Sequence, residues 1–187
     1  IGYGSIGKRH AKLLSKICGK NSVFILSQKR IKDYKSFKNL KDIIKNNFDY
    51  IIICSPPSKH YSQIKFIERN FKNKIILVEK PLFNKSKNLM TKNNKFFIGY
   101  NLRFNPLINI IKKKIKGKKI FSAIINCSSF LPDWRKNTDY RNVYSSKKNM
   151  GGGVLLDLSH ELDYFQFIFG KLKIGNINFT KINKLSN

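Results

Sequence analysis

The chain opens Ile1-Gly2-Tyr3-Gly4-Ser5-Ile6-Gly7, and Lys8-Arg9-His10 follows. Glycines at 2, 4 and 7 reproduce the G-x-G-x-x-G spacing of a dinucleotide-binding turn. The first permits the tight turn, the second lets backbone approach a pyrophosphate, and the third lets the helix pack closely on its strand. The N–H groups and positive dipole end of the helix that follows suit phosphates. Gly2, Gly4, Ser5, Ile6 and Gly7 are therefore the first candidate cofactor-binding residues. A helical pattern (Ile6, Leu13, Leu14, Ile17) comes next, then the β-rich run Ser22-Val23-Phe24-Ile25-Leu26. That is a phosphate turn, a helix and a second strand in the expected order. Of the strand that normally precedes such a turn only Ile1 is present. The chain is accordingly expected to be a piece of a longer protein, missing that strand and part of its C-terminal region.

Outward from the turn, apolar runs alternate with helical patterns for about the first hundred residues, the signature of repeated β-α units. Strands are expected over 23–26, 50–54, 75–78 and 96–99, and helices over 5–17, 40–46 and 59–71, with a poorer one at 86–91. Tyr50-Ile51-Ile52-Ile53-Cys54 and Ile75-Ile76-Leu77-Val78 are continuous rather than alternating, as in strands buried on both faces. After Tyr100 the character changes. A helix over 104–115, a strand over 120–127, a polar loop over 130–149, a glycine-led helix to about Phe169 and a strand over 174–179 read as the opening of a second domain. The expected fold is α/β. A doubly wound, Rossmann-type parallel sheet over 1–103 is followed by an incomplete α+β domain over 104–187.

Composition narrows the function classes. With 187 residues there is no apolar run long enough to span a membrane. Cys18, Cys54 and Cys127 are far apart and form no C-x-x-C, which argues against a disulfide framework or a metal site and points to a reduced, cytoplasmic setting. The formal net charge is +28, from 38 Lys and Arg against 10 Asp and Glu. A composition bias toward Lys, Asn, Ile and Phe accounts for much of it, and attraction to polyanionic ligands is the functional alternative.

Several further segments carry chemistry. Ser55-Pro56-Pro57-Ser58-Lys59-His60 and Glu79-Lys80-Pro81 follow two buried strands, at the carboxyl ends where open α/β sheets bind ligands. Tyr100-Asn101-Leu102-Arg103-Phe104-Asn105-Pro106 follows the last strand of the first domain, and Pro132-Asp133-Trp134-Arg135 lies in the long loop. Gly151-Gly152-Gly153 leads into Val154-Leu155-Leu156-Asp157-Leu158-Ser159-His160-Glu161-Leu162-Asp163. Asp157 and His160 are three apart, so one continuous helix would put them on a shared face. An imidazole there suits proton transfer near neutral pH.

In succession these segments resemble the glucose–fructose oxidoreductase / inositol dehydrogenase / MocA family of NAD(P)-dependent oxidoreductases. The resemblance implies a Rossmann domain, a second domain built on a largely antiparallel sheet, an active site between them, and homo-oligomers formed through that second sheet. It implies that Lys80 lies between nicotinamide and substrate, that the Lys80–Pro81 bond is cis, and that His160 is the catalytic histidine. Asp157 matches its aspartate with a spacing of three where many members have four, and Asp163 is a weaker substitute. Ser55, Pro56, Pro57, His60, Glu79 and Lys80 join the cofactor-binding set. The P-D-W-R loop and the L-D-L-S-H helix resemble those of members that act on sugars for surface polysaccharides.

The residues themselves supply the rest. Moving a hydride to or from a carbon bearing oxygen requires that oxygen to lose or gain a proton, a task for His160 oriented by Asp157, with Lys80 stabilising the charge that develops. After the second strand, Ser27-Gln28-Lys29-Arg30 offers a hydroxyl and two cations where a carboxylate would select NAD, and there is no acid before Asp33. Ser27, Lys29 and Arg30 thus favour NADP over NAD. Trp134 and Arg135 fit a sugar ring and an anionic group, and Arg103 fits either a substrate or the fixing of its own turn. Trp134 fits a core position equally well. Against the oxidoreductase stand two alternatives: a basic nucleic-acid-binding protein, and a truncated remnant without a foldable core.

Overall fold

The structure, a computed structural model, describes residues 1–134, 136–173, 175–178 and 180. Two compact units divide at Ile1–Gly99 and Tyr100–Asn187.

In the first unit, the all-apolar strands β3 (Tyr50–Ile53) and β4 (Ile75–Val78) run parallel, with β5 (Lys95–Ile98) parallel on the other side of β4. The register pairs Ile53 with Val78 and Val78 with Ile98. The continuous apolar runs suggested burial on both faces, but burial alternates along β3 and β4: Ile51, Ile53, Ile76 and Val78 are buried, whereas Tyr50 and Ile75 on the other face are exposed and Ile52 and Leu77 half-buried. Ile51, Ile53, Ile76 and Val78 are buried with Ile64, Ile67 and Phe71 of α2 (Pro57–Asn70) and its C-cap. Strands β1 (Phe24–Leu26) and β2 (Lys35–Phe37) form a separate parallel pair. Helix α1 (Ser5–Cys18) lays Ala11 against Val23 and Ile25.

Ile1 joins the two sheets. Its amine donates to the Ile52 carbonyl at 2.6 Å, its carbonyl accepts from the Cys54 N–H at 2.7 Å, and the Gly2 N–H donates to Leu26 O at 2.9 Å. The lateral order is therefore β2, β1, Ile1, β3, β4, β5, which reverses direction at Ile1. That reversal is the switch point at which open parallel sheets place their ligands, outside the strands' carboxyl ends.

Two expectations for this unit change, and one strand, β2, was not expected. Residues 40–46 form only a 3-10 turn, Leu40–Ile43, closed by reciprocal Asn39–Asp42 capping and ended where the Asn46 side chain takes the Asp42 carbonyl. The segment 86–91 is not helical. Just after it, the Glu68 carboxylate on α2 accepts from the Lys92 and Asn93 N–H groups and from Asn94 Nδ2, which fastens the chain there to α2. Strand β2, Lys-Ser-Phe, carries no apolar run because it is a short edge strand paired on one side.

The second unit contains α3 (Pro106–Ile115), α4 (Val154–Asp157) and α5 (Ser159–Phe169). Helix α3 starts with proline in its first turn behind Asn105, whose side chain accepts from the Leu107 N–H at 2.9 Å. The expected strand at 120–127 does not form, and no antiparallel sheet exists among the described residues. A strand needs a laterally paired partner, and no described segment of this unit supplies one. Residues 175–178 are likewise without strand structure, while 174 and 179 of that expected strand lie outside the described residues. All the buried hydrophobic residues that are described belong to the first unit. In the second, the buried side chains are polar: Ser145, Ser146, Asp157, Ser159 and Asp163. No described helix is long and apolar enough to cross a membrane.

Candidate functional site

The glycine turn is built as its spacing requires. Gly2 has φ +91°, and a Cβ there would lie 2.8 Å from the Cys54 and Ser55 backbone. A Cβ on Gly7 would lie 2.3 Å from the Gly2 carbonyl, so only hydrogen lets α1 sit this close to the turn. Gly4 is the opposite case: nothing lies within 4 Å of a Cβ built there. It is the N-cap of α1, no side chain caps that helix, and Ser5 and Ile6 beside it are exposed. The first N–H groups of a fourteen-residue helix thus open onto free space at the switch point, a site suited to an anion. The residues present fit a dinucleotide pyrophosphate.

At the end of β1, Ser27 is buried and its Oγ accepts from the Lys29 N–H at 3.1 Å. Lys29 and Arg30 are exposed. Lys38, which no motif marks, donates to the Gln28 and Lys29 carbonyls at 3.0 and 3.1 Å and anchors this loop to the end of β2.

The two loops after β3 and β4 are fastened together. Ser55 Oγ donates to Gln63 Oε1 at 2.6 Å, and Pro56–Pro57 starts α2. His60 is fully buried, so it is not placed to touch a cofactor. Its Nδ1 lies 3.0 Å from the Leu82 carbonyl and its Nε2 2.8 Å from the Ser55 carbonyl. Burial holds its pKa below the ordinary value, against the opposing pull of those carbonyls. The Lys80–Pro81 bond is cis, and Lys80 is half-buried. Glu79 is committed within the protein: its Oε1 lies 2.6 Å from His10 Nε2 of α1. Gly99 makes room for that carboxylate, since a Cβ there would stand 3.2 Å from Oε2. His10, one turn into the helix after the glycines, is visible in the sequence as the last residue of G-x-G-x-x-G-x-x-H. Nothing in the spacing told that its partner would be Glu79.

The second unit holds the other candidates. Helical bonding breaks at Leu158 (φ −96°, ψ 26°), so α4 ends at Asp157 and α5 begins at Ser159. Asp157 and His160 therefore do not share one continuous helix face, and the simple three-residue argument for their pairing does not apply. Asp157 is buried and accepts from Tyr144 Oη at 3.1 Å, Ser145 Oγ at 3.3 Å and the Gly153 N–H at 3.3 Å. His160 packs edge-on against Tyr100, with ring centroids 5.7 Å apart. Tyr100 Oη also reaches Ser159 Oγ at 3.5 Å. Arg103 makes a bidentate pair with Asp163 (2.8 and 2.6 Å), and that carboxylate holds the guanidinium pKa above its usual value. Asp163 is thereby occupied as the anchor of the Arg103 turn. Trp134 sits in a 3-10 turn with its indole N–H donated to Ser129, and it lines a small cleft with Leu131, Thr138 and Val143. Arg135 lies outside the described residues.

The triple glycine is a packing requirement. Gly151 and Gly153 have positive φ (87° and 122°), and a Cβ on Gly152 would lie 2.3 Å from Tyr144 O and 2.4 Å from Ser145 O. These are the residues whose side chains hold Asp157. Gly152→Ala is expected to destabilise this unit by about 1–3 kcal/mol. Urea melts should show the loss, with the first unit's transition unchanged.

Comparison with known proteins agrees with the first unit's geometry. No curated protein matches the chain. The WlbA (WbpB) dehydrogenase from Thermus thermophilus, solved in complex with NAD and UDP-GlcNAcA, superposes with a TM-score of 0.67 at 20% identity over 90% of this chain. The chain spans 61% of the length of that structure. At this identity the likeness establishes a shared fold. Residues 1–93 match the model of the GFO_IDH_MocA oxidoreductase family, described by its NAD-binding Rossmann fold.

Proposed function

We propose that the protein is an NAD(P)-dependent oxidoreductase acting on a CH–OH group of a nucleotide-linked sugar, serving surface polysaccharide synthesis. The observation that carries the reading is the uncapped N-terminus of α1 behind the open Gly4, at the sheet's switch point. The substrate class is supported by the UDP-sugar in the related dehydrogenase and by a net charge of +28, which favours encounter with anionic ligands.

In this reading Gly2, Gly4, Ser5, Ile6 and Gly7 hold the pyrophosphate, with the Ser55–Pro56–Pro57 loop alongside. The nicotinamide, when bound, supplies the acceptor or donor of a hydride. The substrate hydroxyl loses its proton to His160 as its carbon becomes a carbonyl carbon, and in the reverse direction His160 returns that proton. The Lys80 ammonium stabilises negative charge developing on the oxygen, which lowers the barrier only if the lysine is already oriented. Asp157 orients the catalytic helix start. Arg103, Trp134 and Arg135 contribute to the substrate side, Arg103 through the turn that Asp163 fixes.

NADP is the preferred cofactor in this proposal, because Ser27, Lys29 and Arg30 offer a hydroxyl and two exposed cations at the end of β1. Fluorescence titration with NADPH and NADH, at low and moderate salt, tests both levels. Saturable NADPH binding that survives moderate salt is expected, whereas a nucleic-acid-type phosphate grip would collapse over that range. The Lys29→Ala/Arg30→Ala double variant should weaken NADPH about tenfold for each charge-assisted hydrogen bond removed and leave NADH unchanged. Equal affinities in the parent protein would remove the NADP preference.

A further inference from the structure

Glu79 and Leu82 flank Lys80–Pro81, and each is held by an imidazole from a different helix. His10 of α1 takes the Glu79 carboxylate at 2.6 Å. His60 of α2 spans from the Leu82 carbonyl (3.0 Å) to the Ser55 carbonyl (2.8 Å). Two further hydrogen bonds fix the strand end, from the Glu79 N–H to Ile53 O at 2.9 Å and from the Gly99 N–H to Val78 O at 2.8 Å. A four-residue turn needs no such attachments merely to lead the chain out of β4. Burying an imidazole completely is also costly for a residue whose only function is packing. Both carbonyls can only accept, so the ring must donate: one bond when neutral and two when protonated.

The attachments run to particular places. His10 belongs to the helix whose N-terminus is the phosphate turn, and His60 belongs to the helix that starts at the Ser55–Pro56 loop. We propose that His10 and His60 are positioning residues for Lys80, bracing its turn to the phosphate-binding helix and to the Ser55 loop. The lysine ammonium and a dinucleotide seated on α1 then share one rigid frame. Neither histidine touches the reacting atoms. This inference rests on the proposed role of Lys80. It assigns His60 to the support of that residue instead of to cofactor contact.

The test uses the full chain with His60→Leu, His60→Gln, His10→Leu and His10→Gln. Three quantities are read in each: NADPH affinity by fluorescence, kcat and KM with UDP-sugars, and the Lys80 titration midpoint. The midpoint is read by NMR after reductive 13C-methylation, with Lys80→Arg identifying the signal. The leucine variants should lower kcat about tenfold or more, because small misplacement of a catalytic group is costly. NADPH affinity should stay within about threefold, the size of a secondary contact. The Lys80 midpoint should move in the leucine variants, and the glutamine variants, which keep a donor, should recover much of the loss. Leucine variants that melt lower yet keep the parental kcat and Lys80 midpoint would overturn the proposal. If the parent and Lys80→Met turn over alike, or neither does, the oxidoreductase reading fails by itself. The Lys80 midpoint in the leucine variants still decides whether the histidines brace the turn.

Discussion

Replacing His160 with alanine is expected to reduce kcat/KM for sugar oxidation by about 10²–10⁴, the usual worth of a positioned general acid–base. NADPH affinity should be untouched, because the first unit, which carries the nucleotide-binding turn, contains no part of α5. The imidazole is not a core residue whose loss would collapse its surroundings. It is half-buried, in edge contact with Tyr100, at the second position of α5. Steady-state kinetics beside thermal melts separate the two explanations. A fall in kcat with an unchanged melt supports proton transfer. A rise in KM at constant kcat would make His160 a substrate-binding residue and leave the proton without a carrier. Tyr100→Phe should have a much smaller effect, since the ring-on-ring contact persists and only the 3.5 Å contact to Ser159 is removed.

What the sequence showed, and what it hid, has a physical pattern. The glycine turn, α1, β3, α2 and β4 were legible because local rules and burial agree there. Glycines stand where φ or close approach demands them, and Ile51, Ile53, Ile76 and Val78 form the buried face of the sheet, although the same apolar runs also pointed to a second covered face that Tyr50 and Ile75 leave exposed. Strand β2 was invisible because an edge strand of Lys-Ser-Phe is defined by the pairing of its backbone, which composition does not record. The helix expected at 86–91 failed because one remote carboxylate, Glu68, collects the donors of the residues just after it. In the second unit the strand expected over 120–127 does not form, because propensity does not provide a neighbour to pair with. The site shows the same divide. Residue types and order pointed to Lys80, His160 and Asp157, whereas the Leu158 break and the His10–Glu79 and His60 attachments are three-dimensional facts. Motif spacing names candidates without saying what each one holds.

Gly4→Ala and Gly7→Ala should both cost nucleotide binding, for opposite reasons. At Gly7 the new methyl would stand 2.3 Å from the Gly2 carbonyl and 3.1 Å from its carbon. Neither side yields cheaply. Gly2 is pinned by its bond to Leu26, Ile1 is pinned to β3 on the other side, and Gly7 lies in the first turn of a helix packed on Val23 and Ile25. The helix must lift away, at a cost of about 1–3 kcal/mol for overpacking. In a domain of this size each kcal/mol is worth roughly 4–8 °C in Tm, so the melt should fall visibly. NADPH binding should weaken by about a hundredfold or more, because a shift near 1 Å takes the N–H groups off the phosphates. At Gly4 there is open space and an ordinary negative φ, so alanine should leave Tm unchanged. Its methyl would nevertheless project into the approach to the uncapped helix end, and binding should be lost there as well. The pair of variants therefore separates fold from site: Gly7 keeps the turn closed, and Gly4 keeps it accessible. If Gly4→Ala bound NADPH as tightly as the parent, no phosphate would be approaching this backbone, and the nucleotide reading of the turn would have to be given up even though the fold was right.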